Sequence, residues 1–297
     1  MANRYEHQWQ EKLVVGIAAS ALFDLREADK VFEKRGLHKY RDYMWSNESV
    51  TLKEGTGFPL VKALLAINGH GRGRLVEIVL ISRNDADSGF RIFKSIEAHK
   101  LDIACAAFTD GRPTYKYMNS FSCDVFLSTD RDDVVQAVKR NLPAGLVYSP
   151  PGAPNLGTEE VRIAFDGDAV LFSAEADNVY RKKGLDAFYK YEEKREHEPL
   201  DPGPFKAFLD AISRIQKRFS EKDCPIRTSL VTARSFAACK RPIRTLRGWG
   251  VRLDESFFMS GVGKWHVLRY LRPHIFFDDQ TQNLKHIYGG FEVAGGA

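Results

Sequence analysis

Covalent staples and membrane anchors are what this sequence has least of. Its 297 residues include only four cysteines, Cys105, Cys123, Cys224 and Cys239, scattered with no C-x-x-C pair. That spacing fits reduced thiols in a cytoplasmic protein better than a disulfide framework or a cysteine zinc site. The eight histidines form no H-x-H or H-E-x-x-H pattern, so a histidine-bound metal is not expected. No stretch approaches the ~20 apolar residues that span a bilayer. The N-terminal segment MANRYEHQWQEKLVVGIAAS has a polar start and only a brief apolar run, without the layout of a secretory signal. A dense basic stripe with interleaved aromatics is also missing, although net charge is +5 and the pI about 8.9. The nearest approach to one, NGHGRGRL at 68–75, reads as a glycine-rich loop. Neither a nucleic-acid polymer nor a membrane is therefore expected as a partner. Homo-oligomerisation is left open.

What is present is a soluble α/β pattern, written twice. Hydrophobic content of 43% and charged content of 28% describe a globular chain, long enough for one large domain or two ordinary ones. EADKVFEKRGLHKY (27–40) returns as EADNVYRKKGLDAF (175–188), and eight of the seventeen positions from 27 to 43 match at an offset of 148. At an offset of 150, LISRN (80–84) lies over LVTAR (230–234), FTDG (108–111) over FMSG (258–261), and CDVFLSTD (123–130) over PHIFFDDQ (273–280). Each half reads as a buried strand, a charged helical stretch, a second helix, another strand, then helix, short strand and a last strand. Short apolar runs alternating with helical patterns indicate a parallel sheet covered on both faces. We expect two tandem parallel-sheet units from internal duplication, residues 1–147 and 161–297, joined by a Pro- and Gly-rich linker at 148–160. The glycine-rich tail YGGFEVAGGA (288–297) reads as either disordered or docked on a neighbour.

Charge is what the repeat does not keep. Asp166 falls on Ala18, Asp168 on Ser20, Lys264 on Thr114, and Asp278 and Asp279 on Ser128 and Thr129, while Thr232 keeps a hydroxyl against Ser82. The five charged groups sit at or beyond strand carboxyl ends, or in the loop before the last strand, where open α/β sheets bind ligands. Taken alone, RIAFDGDAVLF (162–172) also fits an ordinary Asp-Gly turn or a hairpin. Four gathered carboxylates oppose one another's ionisation, however, and need a cation. Hard oxygen donors suit Mg²⁺, which is commonly shared with substrate phosphate. Lys264 and the Thr232 hydroxyl would add contacts to a phosphoryl group.

FDGDAVLF, LVTAR, GVGK and FFDDQ, in that order, resemble the four motifs of the haloacid-dehalogenase (HAD) phosphohydrolase superfamily. The whole chain, including ALFDL, LISRN and FTDGR in its first half, resembles the cytosolic type I 5′-nucleotidases. The resemblance implies two HAD-like, Rossmannoid units of which only the second is catalytic, with a helical cap insert at about 173–223. It implies Asp166 as nucleophile, Asp168 as general acid/base, and Thr232 and Lys264 on the phosphate. Mg²⁺ would be held by Asp166, the main-chain carbonyl of Asp168, and the pair Asp278 and Asp279. The implied activity is hydrolysis of nucleoside 5′-monophosphates, of AMP or IMP type, through an aspartyl-phosphate. A phosphatase for another small phosphate ester and a non-catalytic nucleotide-binding protein are the competing readings.

Substrate contacts are less legible. Arg234 and Ser235 follow the Thr232 strand and are candidates for phosphate or ribose, although Ser235 also suits a helix N-cap. Phe172, Phe188, Tyr189 and Tyr191 are candidates for base stacking, against the alternative of a hydrophobic core. In the first half, Ser82, Arg83, Asn84 and Arg112 stand at strand ends. They suggest a retained polar pocket for nucleotide recognition or regulation, or else ordinary polar loops.

Overall fold

The computed structural model describes residues 9, 11–147, 156–285 and 290–293. Most of the expected linker, 148–155, lies outside the described residues, as do 288–289 and 294–297 of the tail.

Apolar runs become strands where they are short and β-branched, and here they do so in matching sets. In the first half β1 (Leu13–Ile17), β2 (Val76–Ser82), β3 (Cys105–Phe108), β4 (Val125–Ser128) and β5 (Ala144–Val147) pair in the order β3-β2-β1-β4-β5, all parallel. The second half gives β6 (Val161–Phe165), β7 (Ile226–Thr232), β8 (Glu255–Phe258), β9 (Ile275–Asp278) and β10 (Gly290–Glu292) in the order β8-β7-β6-β9-β10, again parallel. β10 and β5 then pair antiparallel, so one sheet of ten strands crosses the whole chain. Strands β1, β2, β4 and β9 are buried along their full length, as sheets covered on both faces require.

Helices α1 (Arg26–Ser46), α2 (Phe58–Ala66), α3 (Ala86–Ala98) and α4 (Arg131–Val138) belong to the first half. The second contributes α5 (Glu175–Lys183), α6 (Leu185–Lys194), α7 (Lys206–Gln216), α8 (Lys240–Gly248) and α9 (Trp265–Leu271). Asp85 and Asp130 start α3 and α4 by accepting from the backbone N–H groups of Ser88 and Asp133. α1 bends at Gly36, whose φ of 78° is the left-handed region that only glycine enters without penalty, and Gly184 breaks α5 from α6 with a φ of 82°. The two glycines are one position of the repeat. At another repeated pair, the Tyr43 hydroxyl donates to Glu27 and the Tyr191 hydroxyl to Glu175.

Three expectations change. The tail is not loose at its described residues: 290–292 form β10, and Phe291 is fully buried against Phe277. The sheet, rather than the linker, thus joins the halves, and Arg131 reinforces the seam by donating to Glu292. Each half also runs one strand beyond the DVFLS and HIFFDD strands that seemed to end it. Finally, α7 falls inside the expected cap but packs on the sheet, with Phe208 against Phe165 and Phe277. α5 and α6 pack chiefly on each other, off the sheet, and α1, their counterpart in the repeat, packs chiefly on α3. Among the described residues no helix is long and apolar enough to cross a membrane.

Phe291→Ala should lose about 3–5 kcal/mol in chemical denaturation, the usual cost of emptying a buried aromatic site. A loss below about 1 kcal/mol would show that β10 does not share the sheet in solution. Acid should act through His274, whose Nδ1 accepts from the Arg162 backbone N–H while Nε2 faces the Gly157 carbonyl. Burial holds its pKa below 6.5. The neutral ring therefore contributes stability above about pH 6.5 that is lost as pH falls through the folded-state value. Stability between pH 7.5 and 5 should fall less steeply in His274→Gln than in the parent.

Candidate active site

The end of β6 delivers Asp166 to the sheet edge, where its N–H donates to the Phe277 carbonyl of β9 at 2.8 Å. The chain then passes close under Thr232. A Cβ at Gly167 would lie 3.1 Å from the Thr232 hydroxyl, so a side chain here would crowd that contact. Ala169 takes a φ of 62°, and Leu171 and Phe172 donate back to the Gly167 carbonyl, closing a tight loop. The Asp-Gly signal is thus a turn, but not a hairpin, because β6 pairs in parallel with β7 and β9.

Asp278 ends β9 and is wholly buried. Four donations fix its carboxylate: Gln280 N–H at 2.8 Å, Asn283 Nδ2 to both oxygens at 3.1 Å, and Lys264 Nζ at 2.7 Å. Lys264, just before α9, also stands 2.8 Å from Asp166 Oδ2 and is 4% exposed. Burial alone would lower its pKa, but the carboxylates of Asp166 and Asp278 outweigh this and raise it. Burial, Asp278 and Asp168 together push Asp166 well above the ordinary carboxylate range, against the pull of Lys264. Asp279 is pushed up to about 6, first by burial and then by Asp278, with Arg181 at 3.4 Å opposing. One oxygen from each of Asp166, Asp278 and Asp279 lies within 4.8 Å of the others. Three carboxylates against Lys264 and an Arg181 guanidinium shared with Asp177 leave the cluster short of positive charge, and three close oxygen donors are the chemistry that a hard divalent cation takes.

Thr232, at the end of β7, faces the same cleft of about 190 Å³, which Asp168, Asp177, Gly261 and Gln280 also line. The structure therefore brings Asp166, Thr232, Lys264, Asp278 and Asp279 to one place, from three strand ends and the loop that precedes α9.

A family model for 5′-nucleotidases matches residues 5–292. The chain belongs to the 5′-nucleotidase family. Human cytosolic 5′-nucleotidase 1B is 37% identical over 286 residues, which cover 92% of this chain and 47% of the human protein. The chain thus spans about half the length of that relative. No solved structure matches.

In this 5′-nucleotidase family member Asp168 lines the cleft without joining the three clustered carboxylates. Arg234 grips it from two nitrogens, Nε at 2.8 Å and Nη2 at 2.7 Å. The Arg234 guanidinium is almost fully buried, bonds Glu192 of α6, and lies over the Phe188 ring at 5.3 Å. Burial would lower its pKa, and Asp168 and Glu192 more than reverse that. Glu192 in turn accepts from Arg241 at 3.0 Å, and Arg241 lies over Tyr191. The sequence expectation for Arg234 is thus redirected, because its fork is committed to Asp168 and Glu192 rather than to phosphate.

The aromatic candidates divide similarly. Phe172 is a correction: it is fully buried against Trp249, with no face open to a base. Phe188 and Tyr191 cover arginines, and Tyr189 packs against Phe188. Ser235 stands at the N-cap of a short 3₁₀ turn but its side chain makes no capping bond, and its buried hydroxyl has no partner among the described residues. In the first half Ser82, Arg83 and Asn84 line a separate cavity, whereas Arg112 is exposed and does not. Sequence reasoning missed Asn283, Asp177, Arg181 and Glu192. Repeat alignment held a signal for two of them, since Asp177 overlies Asp29 and Asn283 overlies Asp133. Glu192 had none, being one acid among several in a charged helix.

Glu192→Gln should cost about 3–5 kcal/mol in denaturant unfolding, because it leaves two buried guanidiniums sharing one fewer charge. It should also lower turnover by loosening Asp168. Unchanged stability together with unchanged turnover would remove Glu192 from the site.

Proposed function

We propose that this chain is a phosphoric monoester hydrolase, a Mg²⁺-dependent 5′-nucleotidase for nucleoside 5′-monophosphates, with purine nucleotides of AMP or IMP type as substrates. One observation carries the reading: three carboxylates converge within a metal's reach, and Lys264 is clamped between the nucleophile position and the buried Asp278. Purine preference rests on the family resemblance. The four free cysteines support a cytoplasmic setting.

In this reading an Asp166 oxygen attacks phosphorus, and the bond from phosphorus to the 5′-oxygen breaks. Asp168 gives the leaving oxygen its proton. A water then attacks the aspartyl-phosphate and passes a proton to Asp168, and the bond from phosphorus to the Asp166 oxygen breaks. Arg234 orients Asp168, and Thr232 and Lys264 meet the phosphoryl oxygens. A Mg²⁺ on the carboxylates of Asp166, Asp278 and Asp279, with the Asp168 carbonyl that the resemblance implies, would neutralise phosphate charge.

The same reading treats residues 1–147 as a non-catalytic duplicate of 161–297, with 148–160 between them and the cap narrowed to α5 and α6. Matching strand orders, the paired glycines 36 and 184, and the paired tyrosine–glutamate bonds support duplication.

Phosphate release should be measured over a panel of nucleoside monophosphates and other small esters, with Mg²⁺ and after chelation. Purine monophosphates should lead the panel, and chelation should abolish turnover. Asp166→Asn should lower kcat at least about a thousandfold while leaving the melting curve intact. Parent-level turnover in Asp166→Asn would overturn the mechanism, and a better non-nucleotide ester would overturn the substrate class.

A further inference from the structure

The first half holds a cavity larger than the cleft at the acid cluster. At the carboxyl ends of β1, β2 and β4, where the second half carries its acids, a cavity of about 530 Å³ opens, against about 190 Å³ at the acid cluster. Its size is in the range that small-molecule sites occupy. Every charged group that would act on a phosphoryl group has been replaced there, and only the hydroxyl at the Thr232 position is kept, as Ser82. Ala18 and Ser20 stand where the second half has Asp166 and Asp168, Thr114 where it has Lys264, and Ser128 and Thr129 where it has the acid pair.

Charge then decides what the cavity accepts. Arg83 is the one cation among the described residues that line it, and Asp133 and Asp130 already hold it at 3.0 and 3.2 Å. Asp133 is further bound by the Thr114 hydroxyl. Asp29, Asp85 and Asp110 add more carboxylates to the wall, and Arg41, which bonds the last two, does not line the cavity. An anion entering would meet a surplus of negative charge with no free counter-charge, so the polar residues at these strand ends do not make a phosphate site.

An uncharged polar ligand meets no such barrier. Part of the lining is apolar and partly exposed, with Phe32 51% and Leu37 44% accessible. The rest includes the hydroxyls of Ser20 and Thr129, which bond each other, the Asn84 amide bonded to Tyr40, and the carboxylate of Asp29, one turn before Phe32 on α1. Apolar surface together with hydroxyls and acceptors suits a flat heterocycle joined to a sugar. We propose that this cavity is a second, non-catalytic site that binds a nucleoside, the dephosphorylated product of the reaction assigned above. The identity of the ligand rests on that assignment, whereas the exclusion of phosphate rests on the cavity's own charges.

Calorimetric titration of the full chain with adenosine and with inosine tests this. Binding should persist in Asp166→Asn and weaken at least tenfold in both Thr129→Trp, which fills the exposed mouth, and Asp29→Ala. Initial nucleotide turnover by Thr129→Trp should stay within twofold of the parent. Equal nucleoside affinity in the parent and both cavity variants would overturn the proposal. So would weaker binding of inorganic phosphate in Thr129→Trp than in the parent, since it would place an anion in the cavity. Failure of the nucleotidase reading would appear separately, as a parent chain that releases no phosphate from nucleotides.

Discussion

A single ammonium holds the centre of this molecule together. Lys264 lies between Asp166 and Asp278, two carboxylates with almost no access to water. Without it, the ends of β6 and β9 would set unscreened like charges side by side in a medium that solvates neither. With it, the acids tolerate proximity but remain under-compensated, because Asp279 stands beside them as a third. The arrangement is stable enough to fold and unsatisfied enough to attract a cation. Stability and reactivity here come from the same charge imbalance.

Around that centre the second half builds a chain of alternating charges. Asp168, Arg234, Glu192 and Arg241 follow one another from the sheet edge into α6 and α8, nearly all of them buried. Such a series is costly to desolvate and tolerates no missing member. Its consequence is geometric. The carboxylate assigned to proton transfer is fixed through α6, a helix that stands off the sheet, so the helical layer and the chemistry are mechanically connected. Phe188 and Tyr191 contribute by covering the guanidiniums rather than by meeting a ligand.

The two halves show how one scaffold separates packing from chemistry. Strand order, the glycine breaks and the tyrosine–glutamate bonds repeat because they satisfy backbone geometry and core packing in either copy. The charged residues do not repeat. The second half gathers its acids around Lys264. The first has alanine or hydroxyls at those positions, ties Arg83 to Asp130 and Asp133, and holds a cavity larger than the acid-cluster cleft.

Sequence by itself determined eight of the ten strands, the repeat and the candidate residues of the site. Apolar periodicity and residue type are local properties, and comparison of the halves singled out Asp166, Asp168, Lys264, Asp278 and Asp279 without any coordinates. Tertiary structure alone decided what depends on the opposite wall. It turned Arg234 onto Asp168, sealed Phe172 beneath Trp249, and left Arg112 outside the first cavity. It also drew three residues of a glycine-rich tail into the seam between halves, because β5 and β9 each offered an edge that only a further strand could satisfy.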